Sequence, residues 1–137
     1  MGVHDANAAL GQRYDPPLLG QLPAPCQHAR SYLARGVTVV EIHAAIDLGT
    51  VTEVQVHTDA ATALPGAQVI VDLRPVEFFD CSALSLFCRT RRRALERGGH
   101  LALVCVRPWH LRILNATGLS EVFRPLATVE DALNRAH

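Results

Sequence analysis

Two continuous apolar runs, Val69-Ile70-Val71 and Leu101-Ala102-Leu103-Val104-Cys105-Val106, constrain this chain more than any other feature. Neither alternates with polar residues, so both sides of each strand need a cover, as happens inside a sheet with layers on two faces. Between them lies a stretch with apolar positions at helical spacing that stops at Gly98-Gly99. A buried strand, a helix and a second buried strand in that order describe a crossover unit and not a hairpin.

The other segments supply the remaining layers. Residues 26–33 and 37–46 read as strands joined through Ala34-Arg35-Gly36, a connection short enough for a hairpin. In the second, Val37, Val39, Glu41 and His43 alternate with Thr38, Val40, Ile42 and Ala44. Thr50-Val51-Thr52-Glu53 fits a capping box, with the Thr50 hydroxyl accepting from the Glu53 N–H and the Glu53 carboxylate accepting from the Thr50 N–H. Val51, Val54, Thr58, Ala61 and Leu64 continue as an apolar stripe that ends at Pro65-Gly66. Past Asp80, the spacing predicts a helix with Leu84, Phe87, Cys88, Ala94 and Leu95 on one side. Arg89, Arg92, Glu96 and Arg97 fall on the other side, and Arg91 falls inside the stripe, where it needs a snorkelling stem or a carboxylate. Pro108 opens a further helix that stops at Gly118, a short strand follows, and Thr128 caps a last helix over 129–136. The order predicts an α/β domain with a mixed sheet of four to five strands and about four helices.

A chain of 137 residues suits one domain, and its 13 basic residues, all of them Arg, balance 13 acidic ones. That balance argues against nucleic acid, and Arg89, Arg91, Arg92, Arg93 and Arg97 read as a solvated helix face. With no long apolar segment, neither a membrane span nor a signal peptide is expected, and a cytoplasmic protein is. Cys26, Cys81, Cys88 and Cys105 form no CxxC pair, so structural disulfides are not expected. Cys26, His28 and the other scattered His residues repeat no ligand spacing, so no metal and no cofactor is expected. His43 and His57 are expected at solvent or at an edge, and no triad or paired-carboxylate pattern points to an enzyme. Residues 1–25, with Pro16, Pro17, Pro23 and Pro25, read as a flexible arm ahead of a domain over 26–137.

Function is best sought in Phe78-Phe79-Asp80-Cys81-Ser82-Ala83-Leu84, where an acidic turn leads into the helix. A helix start presents unpaired N–H groups and a positive dipole end, so a hydroxyl or thiol there is placed to carry an anionic group. Ser82 is either that acceptor or an N-cap of the helix, and Asp47 is either a partner contact or a loop cap. Cys81 is either a buried inert thiol or an oxidisable one.

These segments together resemble the STAS family, the domain of bacterial anti-sigma factor antagonists and of the tails of sulfate-type anion transporters. Ala44-Ala45-Ile46-Asp47 stands where the family has Gly-Glu-Leu-Asp, and Val69 to Leu73 followed by Asp80-Cys81-Ser82-Ala83-Leu84 resembles its central strand and Asp-Ser-Ser/Thr-Gly-Leu turn. Gly98-Gly99 and Thr117-Gly118-Leu119 match two later landmarks. The resemblance implies a STAS-like fold and a non-enzymatic module that binds an ATPase-like anti-sigma factor serine kinase, released when the kinase phosphorylates the serine after the turn aspartate. That position is Cys81 here, which leaves Ser82 as the hydroxyl of the turn. The implied partner contacts are Asp47, Thr50, Asp80, Ser82, Ala83 and Leu84. The alternative is a non-phosphorylatable module sensing a nucleotide or another small anionic ligand.

Overall fold

The computed structural model describes residues 21–136. Most of the expected N-terminal arm lies outside the described residues; 21–25 have no regular structure, and Pro23 among them is buried. The elements are β1 (Ala29–Ala34), β2 (Val37–Ile42), β3 (Ala44–Ile46), α1 (Val51–Ala61), β4 (Gln68–Asp72), β5 (Val76–Phe79), α2 (Cys81–Glu96), β6 (His100–Val104), α3 (Pro108–Ala116), α4 (Leu119–Phe123) and α5 (Val129–Ala136). The main sheet has the order β1-β2-β4-β6, with β1 antiparallel to β2 and the other pairs parallel. This is the α/β class with a mixed sheet, and β3 and β5 add a separate parallel pair.

The two apolar runs are central for the reason they suggested. Val69 and Val71 of β4 point into the larger core with Val54 of α1, Leu86 and Phe87 of α2, and Leu114 of α3. Ile70 between them faces the other way, against Ala132 and Leu133 of α5. Two covered faces are what an unalternating Val-Ile-Val run requires.

Several local expectations change. The strand expected over 37–46 breaks after Ile42, because Ala44 takes a left-handed backbone (φ 63) and redirects the chain to pair with β5. Chain 26–28 precedes β1 as a turn, with the Cys26 N–H donating to the Ala29 carbonyl at 2.9 Å. The capping box does not form. Instead, Asp47 Oδ1 accepts the Thr50 N–H at 3.1 Å, while the Glu53 carboxylate is engaged by His28 Nδ1 at 3.0 Å. Leu64 lies beyond α1 and is exposed.

On α2 the buried stripe is Ala83, Leu86, Phe87, Thr90 and Ala94, so Cys88 and Leu95 face solvent. Thr90 can be buried because its hydroxyl donates to the Leu86 carbonyl at 2.8 Å. The rotation moves Arg91 to the half-buried margin of the helix. His57 is buried rather than at an edge, with Nδ1 2.6 Å from Ser31 Oγ, and burial lowers its pKa against a hydrogen bond to the Ala24 carbonyl that raises it. His43 is partly exposed beside Glu41 at 2.9 Å, at the edge position expected of it. The short strand expected before α5 is reduced to a bridge in which the Leu126 N–H donates to the Leu103 carbonyl at 2.8 Å. No helix among the described residues is long and apolar enough to cross a membrane.

Candidate functional site

The β5–α2 turn is anchored by Asp80. Its backbone is extended (φ −113, ψ −167), and its carboxylate accepts the Ser82 N–H at 2.8 Å and the Ser82 hydroxyl at 2.5 Å. Asp80 is therefore the N-cap of α2, and Ser82 sits two residues into the helix, which corrects the expectation of a Ser82 cap. The hydroxyl of Ser82, with N–H groups of Ser82, Leu48 and Ala83, holds the Asp80 carboxyl below its ordinary value against an opposing desolvation. The Leu48 contact ties this turn to the β3–α1 loop, and the Asp80 N–H donates to the Ile46 carbonyl at 3.1 Å.

That second loop is built on Asp47 and Thr50. Asp47 Oδ1 accepts from the Gly49 N–H at 2.9 Å, and Thr50 Oγ1 accepts the Asp47 N–H while donating to the Ala45 carbonyl, each at 3.0 Å. Asp47 thus acts within the chain as the loop cap. Ala83 is fully buried and Leu84 is half-buried against the core, so both seat α2, and Ala83 is out of a partner's reach. Cys81 is exposed at the first helical position, not a buried inert thiol, and Ser82 is half-buried.

The structure adds Leu48 and Trp109, which the sequence did not single out, and exposes Phe78 of the Phe78–Leu84 run. Leu48 is 81% exposed, Phe78 53% and Trp109 61%, and the first two flank the Asp80 turn. Leu48 donates its N–H to Asp80, Phe78 lies two residues before it on β5, and Trp109 precedes His110, whose ring is 3.3 Å from the Glu77 carbonyl. The signal available was Phe78-Phe79, since a strand buries one of two consecutive side chains; Phe79 is inside, 3% exposed. Large exposed apolar side chains beside a polar turn, as Leu48 and Phe78 are here, are what a protein-docking surface needs.

A family model for the STAS domain matches residues 29–132. The chain belongs to the STAS domain family. Among solved structures, an anti-sigma factor antagonist from Mycobacterium paratuberculosis is 26% identical with a TM-score of 0.72, covering 79% of this chain and 92% of that one. A STAS domain protein described as an anti-sigma-factor antagonist from Planctomyces limnophilus is 28% identical with a TM-score of 0.69, covering 80% and 98%. A sulfate transporter family protein from Wolinella succinogenes shares the fold at 21% identity and a TM-score of 0.63, covering 77% and 88%. A search of curated protein sequences finds no match.

Proposed function

We propose that this STAS domain, taken over 26–137, is an anti-sigma factor antagonist: a cytoplasmic, non-enzymatic module that docks on an ATPase-like anti-sigma factor kinase and so regulates sigma-factor-dependent transcription. The observation that carries the reading is the exposed apolar pair Leu48 and Phe78 beside the capped Asp80 turn. The likeness to two antagonist structures at 26% and 28% identity supports it.

The turn as it stands is the binding-competent form. Cys81 fills the position of the family's acceptor serine and offers no hydroxyl, so Ser82 is the residue a kinase would modify. Phosphate there would bring about −1.5 to −2 charges beside the Asp80 carboxylate and remove the hydroxyl hydrogen that now bonds it. Repulsion between the two anions would unseat the turn from the Leu48 loop and weaken docking. The small-anion reading finds less support, because the Asp80 carboxylate already occupies the N–H groups at the start of α2.

The test is capture from native lysate with the purified full chain. Wild type is expected to recover an ATPase-like anti-sigma protein and Phe78→Asp to lose it with an unchanged melting temperature. Equal recovery by both would remove the apolar surface from the account.

A further inference from the structure

His110 is the most fully buried titratable group near the turn, 1% exposed at the third residue of α3. Its ring packs on Phe79 with centroids 4.5 Å apart, and Nε2 lies 3.3 Å from the Glu77 carbonyl. A carbonyl can only accept, so Nε2 carries the ring proton and Nδ1 is the bare nitrogen. Among the described residues Nδ1 is buried with no hydrogen-bond partner. One side chain therefore holds β5 at two consecutive alternate points, Glu77 and Phe79, directly before the Asp80 cap, and has an unpaired basic nitrogen inside.

We propose that His110 is a proton-sensitive strut that positions the Asp80–Ser82 turn: with Nδ1 bare it clamps β5, and a proton taken up at Nδ1 loosens β5 and the turn with it. The added N–H would be a buried cation without an acceptor, which the seated arrangement disfavours and an arrangement open to water does not. The start of α3 adds its positive dipole end against the same proton. Burial accordingly lowers the imidazole pKa, the Glu77 carbonyl raises it and the Arg107 charge lowers it.

The other charged and titratable groups around the strut do not reproduce this behaviour. Glu77 turns only its carbonyl to the ring. Asp80 is held below the ordinary carboxylate value, under the imidazole range. Cys105 is pushed by burial up to about 11 and stays a neutral thiol. Arg74 is tied to Asp72 at 2.9 Å, and Arg107 Nε donates to the Arg74 carbonyl at 3.3 Å. Phe87 of α2 packs on Phe79 as an apolar neighbour.

The biological consequence rests on the docking reading above, because a loosened turn changes partner affinity only if the turn is the docking surface. The test does not. Backbone and imidazole NMR of the full chain without partner, followed from about pH 7.5 to about pH 5, should show His110 titrating below the ordinary imidazole range. The amides of Leu48, Asp80 and Ser82 should move with the same midpoint, the ratio of loosened to seated turn changing by at most about tenfold per pH unit. In His110→Phe, which keeps a ring against Phe79, and in His110→Gln, which keeps an N–H donor, those amides should be still. Amides that do not move in wild type, that move equally in both variants, or that are stilled by His43→Gln would overturn the proposal. A positive titration beside a failed lysate capture would leave the strut standing and remove only its use.

Discussion

Gly98 and Gly99 are adjacent, yet replacing each by Ala should cost different amounts for different reasons. A Cβ on Gly99 would lie 2.1 Å from the Ala67 carbonyl oxygen and 2.8 and 2.9 Å from Ala67 N and C. All three are backbone atoms, so no side chain can swing aside; the oxygen must retreat by roughly an ångström to reach ordinary contact. That oxygen accepts the His100 N–H at 3.0 Å, the bond that starts the β4–β6 pairing. Losing the backbone bond costs about 0.5–1.5 kcal/mol and forced repacking about 1–3, so Gly99→Ala should lose about 1.5–4.5 kcal/mol. Gly98 has a left-handed backbone (φ 75) and nothing within 4 Å of the added carbon. Gly98→Ala therefore meets only the left-handed penalty, about 1 kcal/mol once glycine's larger chain entropy is set against it. Urea unfolding of the two variants under identical conditions decides the point. A Gly98→Ala loss equal to or above that of Gly99→Ala, or a Gly99→Ala loss below about 1 kcal/mol, would refute the close-approach argument.

Ala44 holds φ 63, a left-handed backbone that glycine adopts without the Cβ penalty, so Ala44→Gly should stabilise the domain by about 0.5–1 kcal/mol in the same assay; a loss would show that its methyl group packs usefully. His57 binds a proton less readily folded than unfolded, because burial disfavours its cation. Its contribution to stability is complete above the unfolded value of 6.5 and declines as pH falls from there toward the lower folded value, with a slope of at most about 1.4 kcal/mol per pH unit. Denaturant unfolding across that window should be flatter in His57→Gln than in wild type, and parallel slopes would assign the acid sensitivity elsewhere.

How much of this was legible in the sequence depends on how local the deciding forces are. The central strands and the stop after α2 follow from continuous apolar runs and from glycine, which act on their own neighbours. β5 was not legible: its burial runs inside, outside, outside, inside over Val76–Phe79, and its partner β3 lies some thirty residues earlier, so neither period nor turn residues reveal it. The face of α2 was misplaced because small Ala83 and Ala94 and a self-satisfied Thr90 fill the core side, while larger Leu95 lies outside. The capping box failed because His28, distant in sequence, takes the Glu53 carboxylate. At the site, Asp80 and Ser82 were legible as a turn, but which of them caps is set by the extended backbone of Asp80. Leu48 was not legible, since only the fold brings its loop beside β5, and neither was the exposure of Trp109 on α3.

The most direct test of the central claim is a side-by-side capture from native lysate using wild type, Ser82→Ala and Ser82→Asp, with partners and modified residues identified by mass spectrometry. Wild type and Ser82→Ala should recover the same ATPase-like anti-sigma protein, because the Asp80 cap also takes the Ser82 N–H and needs no hydroxyl. Ser82→Asp should lose it, because a second carboxylate beside Asp80 unseats the turn. Recovery of that protein by all three forms would contradict the role assigned to the turn, and recovery by none would contradict the antagonist reading itself.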